Sequence, residues 1–250
     1  QAMLLEVRIA ECVHRPEGLP SELLRRVPFG TALAPEIRSL SGVSSLPCGM
    51  CRAISLWPLQ SLDLEALEEE ELDEFCAALP AVRGLRSLSI RNFCRDEPTA
   101  ERFAPILRAL PPSCERLEVS HVLPLSRAFT GMPGQVRSLG TVVLMSEVFY
   151  HSRVVGMSLR HFEHAFPRLP GIREVRMVLG PGHYEEPSWP RGPLVGKRIA
   201  DALLEKFPGL EALAAEVRVE SESDPPVVGL ARSLAARGVG CSVAELRPAS

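Results

Sequence analysis

Leu85-Arg86-Ser87-Leu88-Ser89-Ile90-Arg91-Asn92-Phe93 carries apolar residues at its first, fourth, sixth and ninth places, with polar ones between. Alternation through the middle of the stretch marks a strand with one buried face. The same spacing recurs along the chain, and a recurring unit governs architecture before any other feature does. Leu4, Val7, Ile9 and Cys12 fit it, as do Leu59, Leu62, Leu64 and Leu67, then Cys114, Leu117, Val119 and Val122. Leu139, Val142 and Leu144 follow, then Ile172, Val175 and Met177. Leu210, Leu213 and Ala215 come last, in a strand that can run on through Val217 and Val219. From Leu59 onward the starts are read at 59, 85, 114, 139, 172 and 210.

Helical stripes separate the strands. Leu72, Phe75, Cys76 and Leu79 stand at i, i+3, i+4 and i+7, one face of a helix, and Phe103, Ile106, Leu107 and Leu110 repeat that spacing. Further stripes run through Leu159, Phe162, Phe166 and Leu169, through Ile199, Ala202 and Leu203, and through Val227, Leu230, Ala231 and Leu234. Four of these stretches end before a proline: Leu79-Pro80, Leu110-Pro111, Leu169-Pro170 and Phe207-Pro208. Proline disfavours helix at the preceding residue, so each one turns the chain toward its next strand.

Strands at this spacing, coupled to helical stripes and recurrent prolines, resemble the leucine-rich-repeat family in its longer, irregular strand-helix form. The resemblance covers about residues 59–220 and the strand at 4–12. It implies an α/β leucine-rich-repeat-like solenoid with a curved parallel sheet and outer helices, and recognition of other proteins through the sheet face and adjoining loops. The ninth position departs from the family's usual Asn, carrying Cys12, Leu67, Phe93, Val122, Glu147 and Gly180 instead. The other reading of the pattern is an ordinary α/β domain with parallel strands.

At 250 residues the chain holds one domain with a large core or two small ones. It is read as a single repeat-type domain over 1–250, with an irregular N-terminal portion (1–58), repeats (59–220) and a C-terminal helix and closing strand (221–250). Formal charge is −3, and aromatics make up 5%. A phosphate-backbone binder shows a basic excess, and a base-stacking surface needs aromatics, so direct nucleic-acid binding is not expected. No apolar run reaches the roughly 20 residues of a membrane helix. Seven cysteines, several at core positions of the repeat, suit a reducing compartment, organellar (mitochondrial) or cytoplasmic. The chain begins at Gln1, so either a leader has been removed or a longer protein precedes it.

Residues 13–58 are rich in Pro and Gly and do not repeat. Ser21 to Arg26 reads as a short capped helix, and Leu19-Pro20-Ser21-Glu22-Leu23-Leu24 faintly resembles the opening of an F-box. Cys51, Ile54 and Leu56 fit a further strand. The acid run Glu68–Glu71 suits a helix start, where negative charge meets the macrodipole, and Thr99 suits the cap of the next helix. Residues 123–135 read as a loose connection, and Val239–Val243 as a closing strand.

Candidate chemistry is sparse. Cys48-Gly-Met-Cys51, taken with Cys12 and His14, has the residue types of a zinc site, but structural zinc wants two spaced ligand pairs. His161 and His164 stand at i, i+3 with His151 before them, yet Phe162 and Phe166 define the core face and turn the histidines to solvent. No nucleophile elbow, phosphate loop, zincin helix or calcium loop occurs, and in Gly180-Pro181-Gly182 the proline removes an amide that a phosphate cradle would use. No catalytic residue, metal or cofactor is therefore expected. An enzyme reading would need an unrecognised centre built on His121, Cys94 or the loop with His183.

With positions 1, 4 and 6 facing the core, the strand at 85 shows Arg86, Ser87, Ser89, Arg91 and Asn92 outward, and its neighbour shows Glu115, Arg116, Glu118, Ser120 and His121. The two later strands show Val143 and Met145, then Val178 and Leu179. An apolar patch flanked by charge marks a protein contact. The inserted loop 180–194 adds His183, Tyr184 and Trp189 to that candidate surface, or else folds over the patch and covers it. The expected function is a non-catalytic protein-interaction or scaffold module, an accessory subunit of a larger assembly. A substrate-recognition subunit of a ubiquitin ligase is the alternative among binding proteins.

Overall fold

The computed structural model describes residues 5–8, 37–43, 51, 54–94, 99–119, 125–144, 149–150, 153–154, 159–179, 194–218 and 229–246. Two compact units, Gln1–Val119 and Ser120–Ser250, make up the chain. The first holds strands β1 (Leu5–Arg8), β2 (Ile37–Val43), β3 (Ser61–Leu67), β4 (Ser87–Phe93) and β5 (Arg116–Val119), with helices α1 (Glu69–Ala78) and α2 (Ala100–Ala109). Each strand pairs in parallel with the next in sequence, from β1 to β5. The second unit holds β6 (Ser138–Leu144), a short antiparallel hairpin of β7 (Phe149–Tyr150) and β8 (Arg153–Val154), then β9 (Glu174–Leu179), β10 (Ala212–Arg218) and β11 (Gly240–Leu246), with α3 (Leu159–Ala165), α4 (Leu194–Lys206) and α5 (Leu230–Ala235). There β6, β9, β10 and β11 are neighbours in that order, all parallel. Strict adjacency of successive parallel strands, without reversal of order inside either unit, is the leucine-rich-repeat-like arrangement. A doubly wound α/β sheet would reverse its order at a switch point.

The repeat positions explain the core. Leu62, Leu64, Leu88, Ile90, Leu117 and Val119 are all fully buried, in register across β3–β5. The ninth position, where Asn is missing, pairs Leu67 with Phe93, both at 0% exposure, so an apolar ladder occupies the place of a polar one. Phe93 meets Phe103 of α2 edge-on at 5.1 Å, which docks that helix on the inward face. In the second unit Phe129, Phe162, Phe166 and Phe207 form one aromatic cluster, with ring centroids 5.0–6.1 Å apart.

The copies from Leu85 onward start with the same backbone device. The residue at position 1 closes a tight turn: Leu85 N–H donates to Val82 O, Cys114 to Pro111 O, Val136 to Pro133 O and Leu210 to Phe207 O, over 2.9–3.1 Å. The carbonyl at position 2 then accepts two successive amides of the following copy. Gln60 O takes Arg86 and Ser87, Arg86 O takes Glu115 and Arg116, Arg137 O takes Arg173 and Glu174, and Arg173 O takes Glu211 and Ala212, all within 3.0 Å.

Three sequence readings change. The fourth copy begins at Val136, not Leu139: Leu139 pairs with Val175 at the fourth position, and an extra residue before Val142 shifts the register. That bulge hid the true start. Residues 51–56 are not a strand. Ser55 N–H reaches Cys51 O and Trp57 N–H reaches Ile54 O, a helical turn whose buried side, Cys51, Ile54 and Trp57, recurs every third residue. The strand of this region is β2, where Gly42 at φ 68° sits between Leu40 and Val43 and breaks the alternation that a sequence pattern needs. The helix starts hold as expected. Thr99 Oγ1 accepts from Arg102 N–H at 3.3 Å, and Glu71 Oε2 accepts from Glu68 N–H at 3.1 Å.

Candidate protein-binding surface

Pleating puts alternate residues of β3–β5 on the face opposite the core. In register, Ser61, Ser87 and Arg116 form one row, and Asp63, Ser89 and Glu118 the next. Arg91 crosses these rows: its Nη2 donates to Asp63 Oδ2 at 2.6 Å, and the side chains are 61% and 18% exposed. The hydrogen bond to Asp63, then its charge, raise the Arg91 pKa above its ordinary value, with Glu65 and Glu118 adding to the effect. Asp63 Oδ1 is buried and has no hydrogen-bond donor among the described residues. A buried acceptor without a donor carries a desolvation cost of about 1–3 kcal/mol, which an incoming N–H or ammonium group offsets. Among the described residues no helix lies over this face; Leu72, Phe75, Phe103, Ile106 and Leu107 bury the helices on the other side.

The residues picked from sequence lie elsewhere. Val178 and Leu179 are not exposed. They are 8% and 2% accessible, and Leu179 continues the inward alternation of Val175 and Met177 instead of turning outward. Val143 stands opposite Val178 in the β6–β9 register. Met145, His183, Tyr184 and Trp189 lie outside the described residues, as do His121, Cys12, His14, Cys48, His151 and the segment 19–26. The pairing of Asp63 with Arg91 was missed because it depends on strand register across 28 residues; their places at positions 5 and 7 of successive copies were its only signal.

The groups with potential chemistry are built as structure. Cys51 and Cys94 are 2% and 3% exposed. Burial first of all pushes the Cys94 thiol up to about 11, although Arg102 pulls the other way, so at neutral pH it is a protonated thiol and not a nucleophile. Cys94 also sits at φ 43°, held by its N–H to Leu67 O at 2.9 Å. His161 and His164 are exposed, and His164 Nδ1 lies 2.7 Å from Arg160 O. Among the described residues no group of three or more His, Cys, Asp or Glu side chains is placed to hold a metal, and no described helix is long and apolar enough to cross a membrane.

No protein-family model matches the chain, and no curated protein matches it. Among solved structures, the leucine-rich repeat-containing protein LegL7 from Legionella pneumophila is similar, with 19% identity and a TM-score of 0.49 over 80% of this chain. The aligned part is 63% of that protein, so the chain spans less than two thirds of its length.

Proposed function

We propose that the chain is a non-catalytic protein-binding module, and that it takes its partner on the outward face of β3–β5. The observation that carries this reading is Asp63. Its Oδ2 is committed to Arg91 while its buried Oδ1 has no donor among the described residues, on a polar face free of described helices. The unmet acceptor is a local cost, and a partner whose binding opens the face enough to supply a donor relieves it. A protein partner presenting a basic or amide group fits it. The buried, protonated thiols of Cys94 and Cys114 support placing the module in a reducing compartment, and membership of a larger assembly as an accessory subunit is the finer form of the same proposal.

Mild affinity purification from the native source, followed by size-exclusion chromatography and identification of co-eluting chains, tests it. The wild-type chain should elute in a defined assembly. Asp63→Ala combined with Arg91→Glu should release it, at a cost of about tenfold or more in affinity for a buried charged contact, while the melting temperature stays within a few degrees. Association unchanged by that pair of substitutions rejects the surface, and elution of the wild-type chain as a free monomer rejects the module reading.

A further inference from the structure

The strand-start rim of the first unit carries a second feature, distinct from the sheet face. Just before β3, the helical turn at 51–54 buries Cys51 and Ile54, and Trp57 is 8% exposed. That arrangement forces the intervening Leu56 outward, where it is 77% exposed. Single exposed leucines are ordinary on protein surfaces. Leu56 differs because it lines an open cleft of about 640 Å3 together with Trp57, Pro58, Ala81 and two arginines, Arg38 and Arg83. Both arginines are exposed, and neither side chain has an ion pair or hydrogen bond among the described residues. Among the described residues no acidic one lines the cleft.

The cleft is held rigidly from below. Gln60 N–H donates to Arg38 O at 2.7 Å, and Gln60 O receives the Arg86 and Ser87 amides. Gly84 approaches so closely that a Cβ there would lie 3.0 Å from Leu59 O. Two arginines therefore rise from a fixed backbone beside an apolar floor, their guanidiniums uncommitted among the described residues, on a chain whose formal charge is −3.

We infer that this cleft docks an acidic peptide segment of a partner protein that carries an aliphatic side chain. Guanidinium pairs carboxylate in bidentate fashion, and the aliphatic group covers Leu56 and the edge of Trp57. A nucleic acid does not fit, because Trp57 is too buried to stack on a base and, among the described residues, no basic stripe extends the two arginines.

The test uses the full chain and a fluorescently labelled short peptide in which Asp and Glu flank two leucines. Control peptides replace the acids with Lys, or the leucines with Ser. Fluorescence anisotropy should show saturable binding of the acidic-leucine peptide alone, weakening as salt screens the exposed charges. Arg38→Glu with Arg83→Glu should weaken it about tenfold or more, and so should Leu56→Ser. Asp63→Ala on the sheet face should leave it unchanged, which separates this site from the one proposed above. The inference is overturned by absence of saturable binding, by binding insensitive to salt, or by binding that survives the double arginine reversal. A self-associated species that Leu56→Ser converts to monomer would assign the cleft to a second copy of the chain and overturn it equally.

Discussion

At Gly209 the absence of a side chain is required by contact, not by backbone conformation. A Cβ built there would stand 2.6 Å from Arg173 Nη1 and 2.8 Å from Pro170 O. The guanidinium can swing aside, but the carbonyl belongs to the turn that opens the preceding copy. Moving the guanidinium also breaks its 3.0 Å hydrogen bond to Gly209 O. Gly209→Ala should therefore cost about 1–3 kcal/mol, the usual range for overpacking, measured as a lowered urea midpoint. Gly134→Ala is the control. Nothing lies within 4 Å of its Cβ and its φ is ordinary, so the change should be neutral or stabilise by up to about 1 kcal/mol through the unfolded chain. Equal effects at the two glycines would refute the steric argument. The sequence showed Pro170 and Pro208 as helix ends that turn the chain toward its next strand. It did not show that Gly209, just after the second of them, lies against an arginine from the neighbouring copy, because that contact spans 36 residues.

Among the elements, α2 is set by the residue that caps it, Thr99. Thr99 Oγ1 satisfies the Arg102 amide, and the helix behind it drives Phe103, Ile106 and Leu107 into the core. Thr99→Ala should destabilise by about 1 kcal/mol and Thr99→Asp by little or nothing, since either oxygen caps the helix. Equal losses in thermal unfolding for the two substitutions would show that the hydroxyl is not what holds the end. This helix, and α1 with its acidic first turn, were legible in sequence because stripe, cap and proline all agree. The strands were legible where alternation is unbroken, as at Leu62-Leu64 and Leu88-Ile90. They were not legible where a residue is inserted: β2 was missed at Gly42, and β6 was read three residues late. Leu179 shows the converse error. A position rule turned it outward, whereas the pleat of β9 keeps it in the core.

For the molecule as a whole, buried thiols tie stability to alkaline pH. Cys114 is fully buried, and desolvation outweighs its backbone hydrogen bonds and lifts the thiol from 9.0 to about 11; Cys76 and Cys94 rise to the same level, again chiefly through burial. A group whose pKa is higher folded than unfolded holds its proton longer in the native state. Its contribution is complete below 9.0 and is lost as pH climbs toward about 11. Urea midpoints should be flat near neutrality and fall across that window, and Cys114→Ala should make the fall shallower while lowering the plateau. An unchanged slope would mean that the thiol ionises as easily folded as unfolded. The candidate surface was only half legible at this level. Position counting put Arg91 and Glu118 on the outward face, but only register showed Asp63 joined to Arg91 with one oxygen left over.

The paired amides received by the carbonyls of Gln60, Arg86, Arg137 and Arg173 have one more consequence. These copies are fastened at their beginnings by main-chain bonds that form whether position 2 bears Gln or Arg: Gln60, Arg86, Arg137 and Arg173 all serve. Spacing between neighbouring strands is thus independent of how many residues intervene. Connections are free to lengthen, shorten or acquire new segments without disturbing the main-chain bonds that fasten the stack. A lineage carrying this architecture can change what its rim and loops recognise while leaving its frame untouched.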